Sequence, residues 1–237
     1  MHNGVMRIQN FVIALAVLSA SAVMAADRQP LSYTFVEGEY AIDSAIEIYG
    51  NSSDSDNAWA IGGSWQISRR FVLWGRYNSA SYDLPNFGEH FNIGLGTLGL
   101  IFRVPIREGE NSPLDFIVGG SLEYQETDIL TQLGGDTFSD PGVGLRLGVK
   151  AGIARHFDVA AYLHYYDYGA FNEGLRNYLD GLFFELGAEL FLTRRFSLTL
   201  TYLTGELDYN QLPGLERPEE VEVDRDELRL GVRFNFR

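Results

Sequence analysis

The sequence predicts an all-β fold: a transmembrane, antiparallel, up-and-down β-barrel of about ten strands, with eight as the alternative count. Three observations carry this expectation. Apolar and polar residues alternate with a period of two in segment after segment, and no stretch beyond Ala26 keeps a helical period with caps. The alternating segments approach or exceed the ~9–11 residues that a tilted strand needs to cross a bilayer. The connections also alternate, short at one end and mostly longer and polar at the other, as membrane barrels arrange them.

Composition narrows the class further. Hydrophobic residues are 46% of the 237, yet no apolar run reaches the ~18 residues of a membrane helix. The absence of cysteine excludes a disulfide framework, a thiolate metal site, a cysteine nucleophile and a lipidated N-terminal Cys. A formal net charge of −14 argues against nucleic acid as a partner. Residues 1–25 read as a secretory signal peptide: Arg7 supplies the positive start, Phe11 to Leu18 a short apolar core, and Val23-Met24-Ala25 a cleavage site, with Ala26 the close alternative. Residues 26–237 then form a single barrel domain outside the cytoplasm.

The first strand is expected at 31–41, with Glu37 and Glu39 turned inward. Strand 57–67 sets Trp59, Ile61, Gly63, Trp65 and Ile67 against Ala58, Ala60, Gly62, Ser64 and Gln66. A tight turn, Ile67-Ser-Arg-Arg-Phe71, leads into 71–82. The same connection recurs as Ile153-Ala-Arg-His-Phe157 before 157–168 and as Leu192-Thr-Arg-Arg-Phe196 before 196–207. Each Phe (71, 157 and 196) starts an apolar face, and Tyr77, Tyr165 and Tyr202 follow on those faces roughly 15–20 Å away. Two rings of aromatics at that spacing read as girdles bracketing a membrane. Segment 91–105 changes its apolar phase between Leu95 and Leu98, which predicts a bulge near Gly96.

After 114–126 comes the cleanest alternation, 142–154, where Val143, Leu145, Leu147, Val149, Ala151 and Ile153 oppose Gly144, Arg146, Gly148, Lys150 and Gly152. In 179–192, Leu182, Phe184, Leu186, Ala188, Leu190 and Leu192 oppose Glu185, Gly187 and Glu189. The last strand, 226–237, turns Leu230, Val232, Phe234 and Phe236 one way and Arg229, Gly231, Arg233 and Asn235 the other. A soluble ligand-carrying barrel, the rival fold, would need these faces reversed, with the apolar ones inside.

That last strand resembles the C-terminal assembly signal of bacterial outer-membrane barrels at Arg229, Gly231, Phe234 and Phe236, with Arg237 as a departure after the aromatic. Tyr33-Thr-Phe-Val-Glu-Gly-Glu-Tyr40 resembles the first strand, Tyr-x-x-Val-Glu-Gly-x-Tyr, of a family of small Gram-negative (proteobacterial) outer-membrane β-barrel proteins; Glu39 stands where Gly is usual. The resemblance implies the cell outer membrane after secretion to the periplasm. It implies outer-membrane lipid, lipopolysaccharide and the barrel-assembly machinery as partners.

Inward faces place charges of both signs near mid-height: Glu37, Glu39, Arg76, Glu123, Arg146, His164, Glu185 and Arg229, with Lys150, Glu189 and Arg233 lower. Isolated charge inside a narrow barrel is costly, so a salt-bridge network that fills or gates the lumen is expected. Asp43, Glu47, Asp54 and Asp56 crowd the first long loop. Glu216, Glu219, Glu220, Glu222, Asp224, Asp226 and Glu227 crowd the last, relieved by Arg217 and Arg225. Divalent cations could bridge such loops to lipopolysaccharide phosphates; a solvated acidic face is the plainer reading. Asn51-Ser-Ser-Asp-Ser-Asp-Asn57 lacks the Gly and terminal Glu of a calcium loop, and neither a resident metal nor a cofactor is expected.

Catalytic candidates are few. His156 falls in a short turn, His164 and Asp167 lie on opposite faces, and no His-x-Ser occurs. Glu89-His90, with Asp83 near enough to orient it, is the one rim combination. The expectation is a non-enzymatic outer-membrane barrel, either a porin-like small pore or a structural barrel with a charged lumen. A surface-loop binding or adhesion protein is the alternative, and a rim hydrolase comes last.

Overall fold

The computed structural model describes residues 31–48, 51–84, 89–108, 112–131, 134–154, 156–168, 179–209 and 221–236. The segment 1–25 expected to be a signal peptide, together with Arg155, Glu216, Arg217, Glu219, Glu220 and Arg237, lies outside the described residues. Among the described residues alternation produces ten strands: β1 (Phe35–Ile48), β2 (Asn51–Gln66), β3 (Phe71–Leu84), β4 (Glu89–Arg107), β5 (Leu114–Thr131), β6 (Gly134–Ala154), β7 (Phe157–Asp167), β8 (Leu179–Phe191), β9 (Phe196–Tyr209) and β10 (Val221–Asn235). Each pairs antiparallel with its sequence neighbours, and β10 closes on β1 to complete an up-and-down barrel. At the seam Phe35 stands opposite Asn235, and Phe236 N donates to Thr34 O at 2.9 Å. Both ends of the barrel sequence therefore meet at the end that carries the tight turns.

Several strands run longer than their sequence pattern suggests. The sequence placed loops at 42–56, at 127–141 and up to residue 225. Instead β1 and β2 stay paired out to Ile48 and Asn51, β5 and β6 out to Thr131 and Gly134, and β10 starts at Val221. Beyond a bilayer a strand no longer needs an apolar face, so its alternation fades while its backbone ladder continues. Asp43, Glu47, Asp54, Asp224, Asp226 and Glu227 are consequently strand residues, not loop residues.

The expected bulge near Gly96 is absent. Register runs unbroken through Gly96, which faces Tyr77 on β3 and Tyr124 on β5. The phase change arises because Ile93 and Leu95 are apolar residues of the inner face, packed with Ala80, Tyr82 and Phe183. Register shifts occur instead between Ala41 and Asp43, Ser55 and Asn57, Pro105 and Arg107, and Gly152 and Ala154.

The two faces are chemically inverted relative to a soluble barrel. Outward, Ile61 (58% exposed), Leu98 (56%), Leu145 (62%), Leu182 (50%) and Val232 (54%) stand bare around the wall. Inward, Glu39, Lys150, Glu189, Arg225, Glu227 and Arg229 are buried. Large apolar exposure combined with buried charge is the informative departure from a water-soluble surface.

Three layers fill the interior. Near the tight turns, Leu31, Tyr33, Val72, Trp74, Ile101 and Ile117 form an apolar layer. At the opposite end Ile46, Ala58, Ala80, Tyr82, Ile93, Leu95, Phe183, Leu207 and Val223 form another. Between them lies the charged belt.

Candidate functional site

The belt is built by strand parity. Every second residue of β1, β3, β6, β8 and β10 points inward, and closure of the barrel brings carboxylates from some strands against cations from others. At the seam Arg233 donates to Glu37 from Nε at 2.9 Å and from Nη2 at 2.6 Å, and to Glu189 from Nη1 at 2.6 Å. Lys150 Nζ lies 3.5 Å from Glu189 and donates to Ser32 O at 3.1 Å. Deeper still, Arg103 pairs with Asp115 at 2.6 Å, and Tyr33 Oη donates to that same carboxylate at 2.7 Å.

At mid-height Glu39 pairs with Arg76, accepts from Thr201 Oγ1 at 2.8 Å, and has Arg229 at 3.9 Å. Glu185 is shared by Arg76 at 3.5 Å, Arg146 at 3.2 Å and His164 at 3.4 Å. Glu123 is held by the hydroxyls of Thr97 (2.6 Å) and Ser121. Aromatic rings support the cations: Arg146 lies 3.8 Å over Tyr162 and 4.6 Å over Trp74, and Arg233 lies 3.7 Å over Phe35. His164 stacks on Tyr166 at 5.9 Å, and Trp74 and Tyr162 flank it.

The upper part of the network was missed from sequence. Glu227, 1% exposed, accepts from Arg225 Nε at 2.7 Å and pairs with Arg229; Arg229 Nη1 also donates to Asn78 at 2.7 Å. Arg225, Glu227 and Arg229 are spaced by two residues, so carrying the final strand's period further back would have found them.

Little space remains inside. One lumenal cavity of about 90 Å³ is lined by Phe35, Glu37, Trp74, Arg76, Tyr162 and Arg233 among others, and another above it is about 30 Å³. Trp74 Nε1 and Thr199 Oγ1 point into buried surroundings without a protein partner. The larger space suits a few waters held by such groups. Opposed charges within 3.9 Å of one another, between two apolar layers, can neutralise one another and lock strands together.

The other predicted residues fall as follows. Phe71, Tyr77, Tyr165 and Phe196 are exposed on the outer wall, whereas Phe157 and Tyr202, on that face by register, are buried in a cluster with Leu190, Leu200 and Leu228. Of the assembly residues, Arg229 and Gly231 point inward and are buried, while Phe234 and Phe236 face outward, their rings 5.0 Å apart. At the far rim His90 Nδ1 meets Asp83, both well exposed. Among the described residues, no group of three His, Cys, Asp or Glu side chains is placed to hold a metal ion.

No family model matches the chain, and no curated protein matches it. Solved structures do resemble it in overall form. Neisserial surface protein A is 13% identical, with 85% of this chain and 96% of that one covered at a TM-score of 0.44. The attachment invasion locus protein Ail of Yersinia pestis is 11% identical, covering 86% and 100% at 0.39. The outer membrane protease OmpT from Escherichia coli is 8% identical, covering 88% and 99% at 0.45. At these values the likeness concerns the barrel plan and assigns no residue a role.

Proposed function

We propose that this chain is a non-enzymatic outer-membrane β-barrel whose lumen is sealed by its own side chains, a structural barrel that holds its extended hairpins at the cell surface. The observation that carries this is the packed interior among the described residues: a charge-paired belt between two apolar layers, with small cavities of about 90 and 30 Å³. The membrane part of the reading rests on the exposed apolar outer wall, which would be unfavourable in water at ~25 cal/mol per Å² and is at ease in lipid. Under this reading the tight turns and both barrel ends face the periplasm, and the β1–β2 and β5–β6 hairpins face outward. Lipid and lipopolysaccharide surround the wall, and the assembly machinery reads Arg229, Gly231, Phe234 and Phe236.

Two measurements test it. Purified protein should migrate differently before and after heating in detergent; a barrel without that shift is not of the membrane class. In planar bilayers neither the wild type nor Arg146→Ala should conduct. Stepwise conductance in the wild type overturns the sealed lumen in favour of a small pore.

A further inference from the structure

The repeated turn has no part in the lumen, yet it is built with care. In the β2–β3 turn, Ile67 N and Ser68 N donate to Phe71 O at 2.9 and 3.2 Å, and Ser68 Oγ accepts from Arg70 N and Phe71 N at 3.3 and 3.1 Å. In the β8–β9 turn, Leu192 N and Thr193 N donate to Phe196 O at 3.0 and 3.1 Å, and Thr193 Oγ1 accepts from Arg195 N and Phe196 N at 3.2 and 3.0 Å. The second arginine of each turn is pinned through its carbonyl, by Arg103 N to Arg70 O and by Asn235 N to Arg195 O, both at 2.7 Å. The hydroxyl satisfies the turn's backbone, and the arginine side chains are left exposed.

Their neighbours are apolar and equally exposed: Ile67 60% and Phe71 43% in one turn, Leu192 50% and Phe196 47% in the other. Each arginine pair thus stands at the edge of the lipid-facing wall, one residue from side chains that enter it. Arg107 adds an exposed cation on the same rim, with exposed Glu108 beside it. The third repeat is built differently. Ala154 replaces the hydroxyl, register shifts between Gly152 and Ala154, and Phe157 is buried.

We infer that the two Ser/Thr-Arg-Arg-Phe turns are headgroup sites for anionic phospholipid in the leaflet they face. Guanidinium groups bind phosphate oxygens in a bidentate manner, and their stems lie along apolar surface while the charge stays at the interface. Two adjacent guanidinium groups call for net negative charge, which a zwitterionic headgroup cancels with its own ammonium. The flanking Ile67, Phe71, Leu192 and Phe196 give acyl chains a surface that a free anion would not use. The inference rests on the membrane-barrel reading, and its test separates the two.

Trp65, 62% exposed on the outer face of β2, lies close in sequence to Arg69 and Arg70 and reports on that turn. Mature protein is reconstituted in phosphatidylcholine vesicles that contain equal mole fractions of either dibrominated phosphatidylglycerol or dibrominated phosphatidylcholine. Tryptophan quenching should favour the anionic lipid, by up to about fivefold per arginine. Arg69→Gln with Arg70→Gln should abolish the preference, Lys at both positions should retain much of it, and the Gln pair at Arg194 and Arg195 should leave the Trp65 signal nearly unchanged. Equal quenching by both lipids in the wild type overturns the inference while the barrel reading stands. Quenching by neither lipid overturns the barrel reading as well. A preference erased by inorganic phosphate at matched phosphorus concentration marks a free-anion site and overturns the lipid assignment.

Discussion

Glu37 on β1 and Arg233 on β10 face each other where the first strand closes on the last, and Arg233 directs both Nε and Nη2 at one carboxylate oxygen, at 2.9 and 2.6 Å. Because the same guanidinium reaches Glu189 on β8, one side chain ties the closing strand to β1 on one side and, past β9, to β8 on the other. Arg233→Ala strips a cation from two buried carboxylates and should cost ~3–5 kcal/mol, as breaking a buried pair does. Glu37→Ala should cost less, since Arg233 keeps Glu189. Urea unfolding of the detergent-refolded barrel measures both. The double variant should fall well short of the sum; strict additivity would mean that the seam pair is not coupled.

The barrel itself was legible because a bilayer forces the alternation it needs. Leu145, Leu147 and Val149 against Arg146, Gly148 and Lys150 announce a wall with lipid on one side and charge on the other, and each of the ten strands among the described residues overlaps an expected one, although several run further at the loop end. What alternation cannot tell is an apolar lumen layer from an apolar wall. Ile93 and Leu95 therefore read as a phase error at Gly96, though they cap the charged belt from within. Nor does it mark where a strand ends once the membrane is passed, so Arg225 and Glu227 looked like loop charges. Many inward residues of the belt could be enumerated from parity, but Arg103, Asp115, Arg225 and Glu227 were missed. The pairings could not be enumerated, because which carboxylate meets which arginine depends on shear around a closed ring.

That misplaced stretch of β10 supports a sharp comparison. Glu227 is buried between Arg225 and Arg229, with Tyr82 and Ser44 each 3.4 Å from its carboxylate. Asp224, three residues earlier, is exposed. Glu227→Ala leaves two arginines facing each other in a closed space and should destabilise by ~3–5 kcal/mol. Asp224→Ala should stay within ~0.5 kcal/mol of wild type. Equal effects in thermal unfolding would return both residues to a solvated loop.

Leu147 tests the wall. It is 46% exposed on β6, and its inward neighbours Arg146 and Gly148 belong to the lumen. Leu147→Arg should cost ~2–4 kcal/mol if that face lies near the middle of a bilayer, read as a lower yield of the heat-modifiable species and a lower unfolding midpoint in lipid. A soluble barrel would gain an exposed cation at little cost. Unchanged assembly would place this face in water.

Gly231 separates packing from recognition within the closing strand. A Cβ at this position would come within 2.6 Å of Glu39 Cγ, 2.5 Å of Thr199 Oγ1 and 2.8 Å of Gly38 O. The last contact is backbone on the paired strand, which cannot step aside, so Gly231→Ala must spread the seam and disturb Glu39 with its partners Arg76 and Thr201. Overpacking of this kind costs ~1–3 kcal/mol, and it should appear when the purified chain refolds into micelles with no assembly machinery present. Phe236, 42% exposed on the outer wall, makes the opposite case. Phe236→Ala should refold in micelles nearly as well as wild type yet lose yield in cells if the aromatic is read by the machinery. A Gly231→Ala barrel with wild-type stability in micelles would mean that the close approach at the seam is relieved elsewhere and that glycine serves recognition alone.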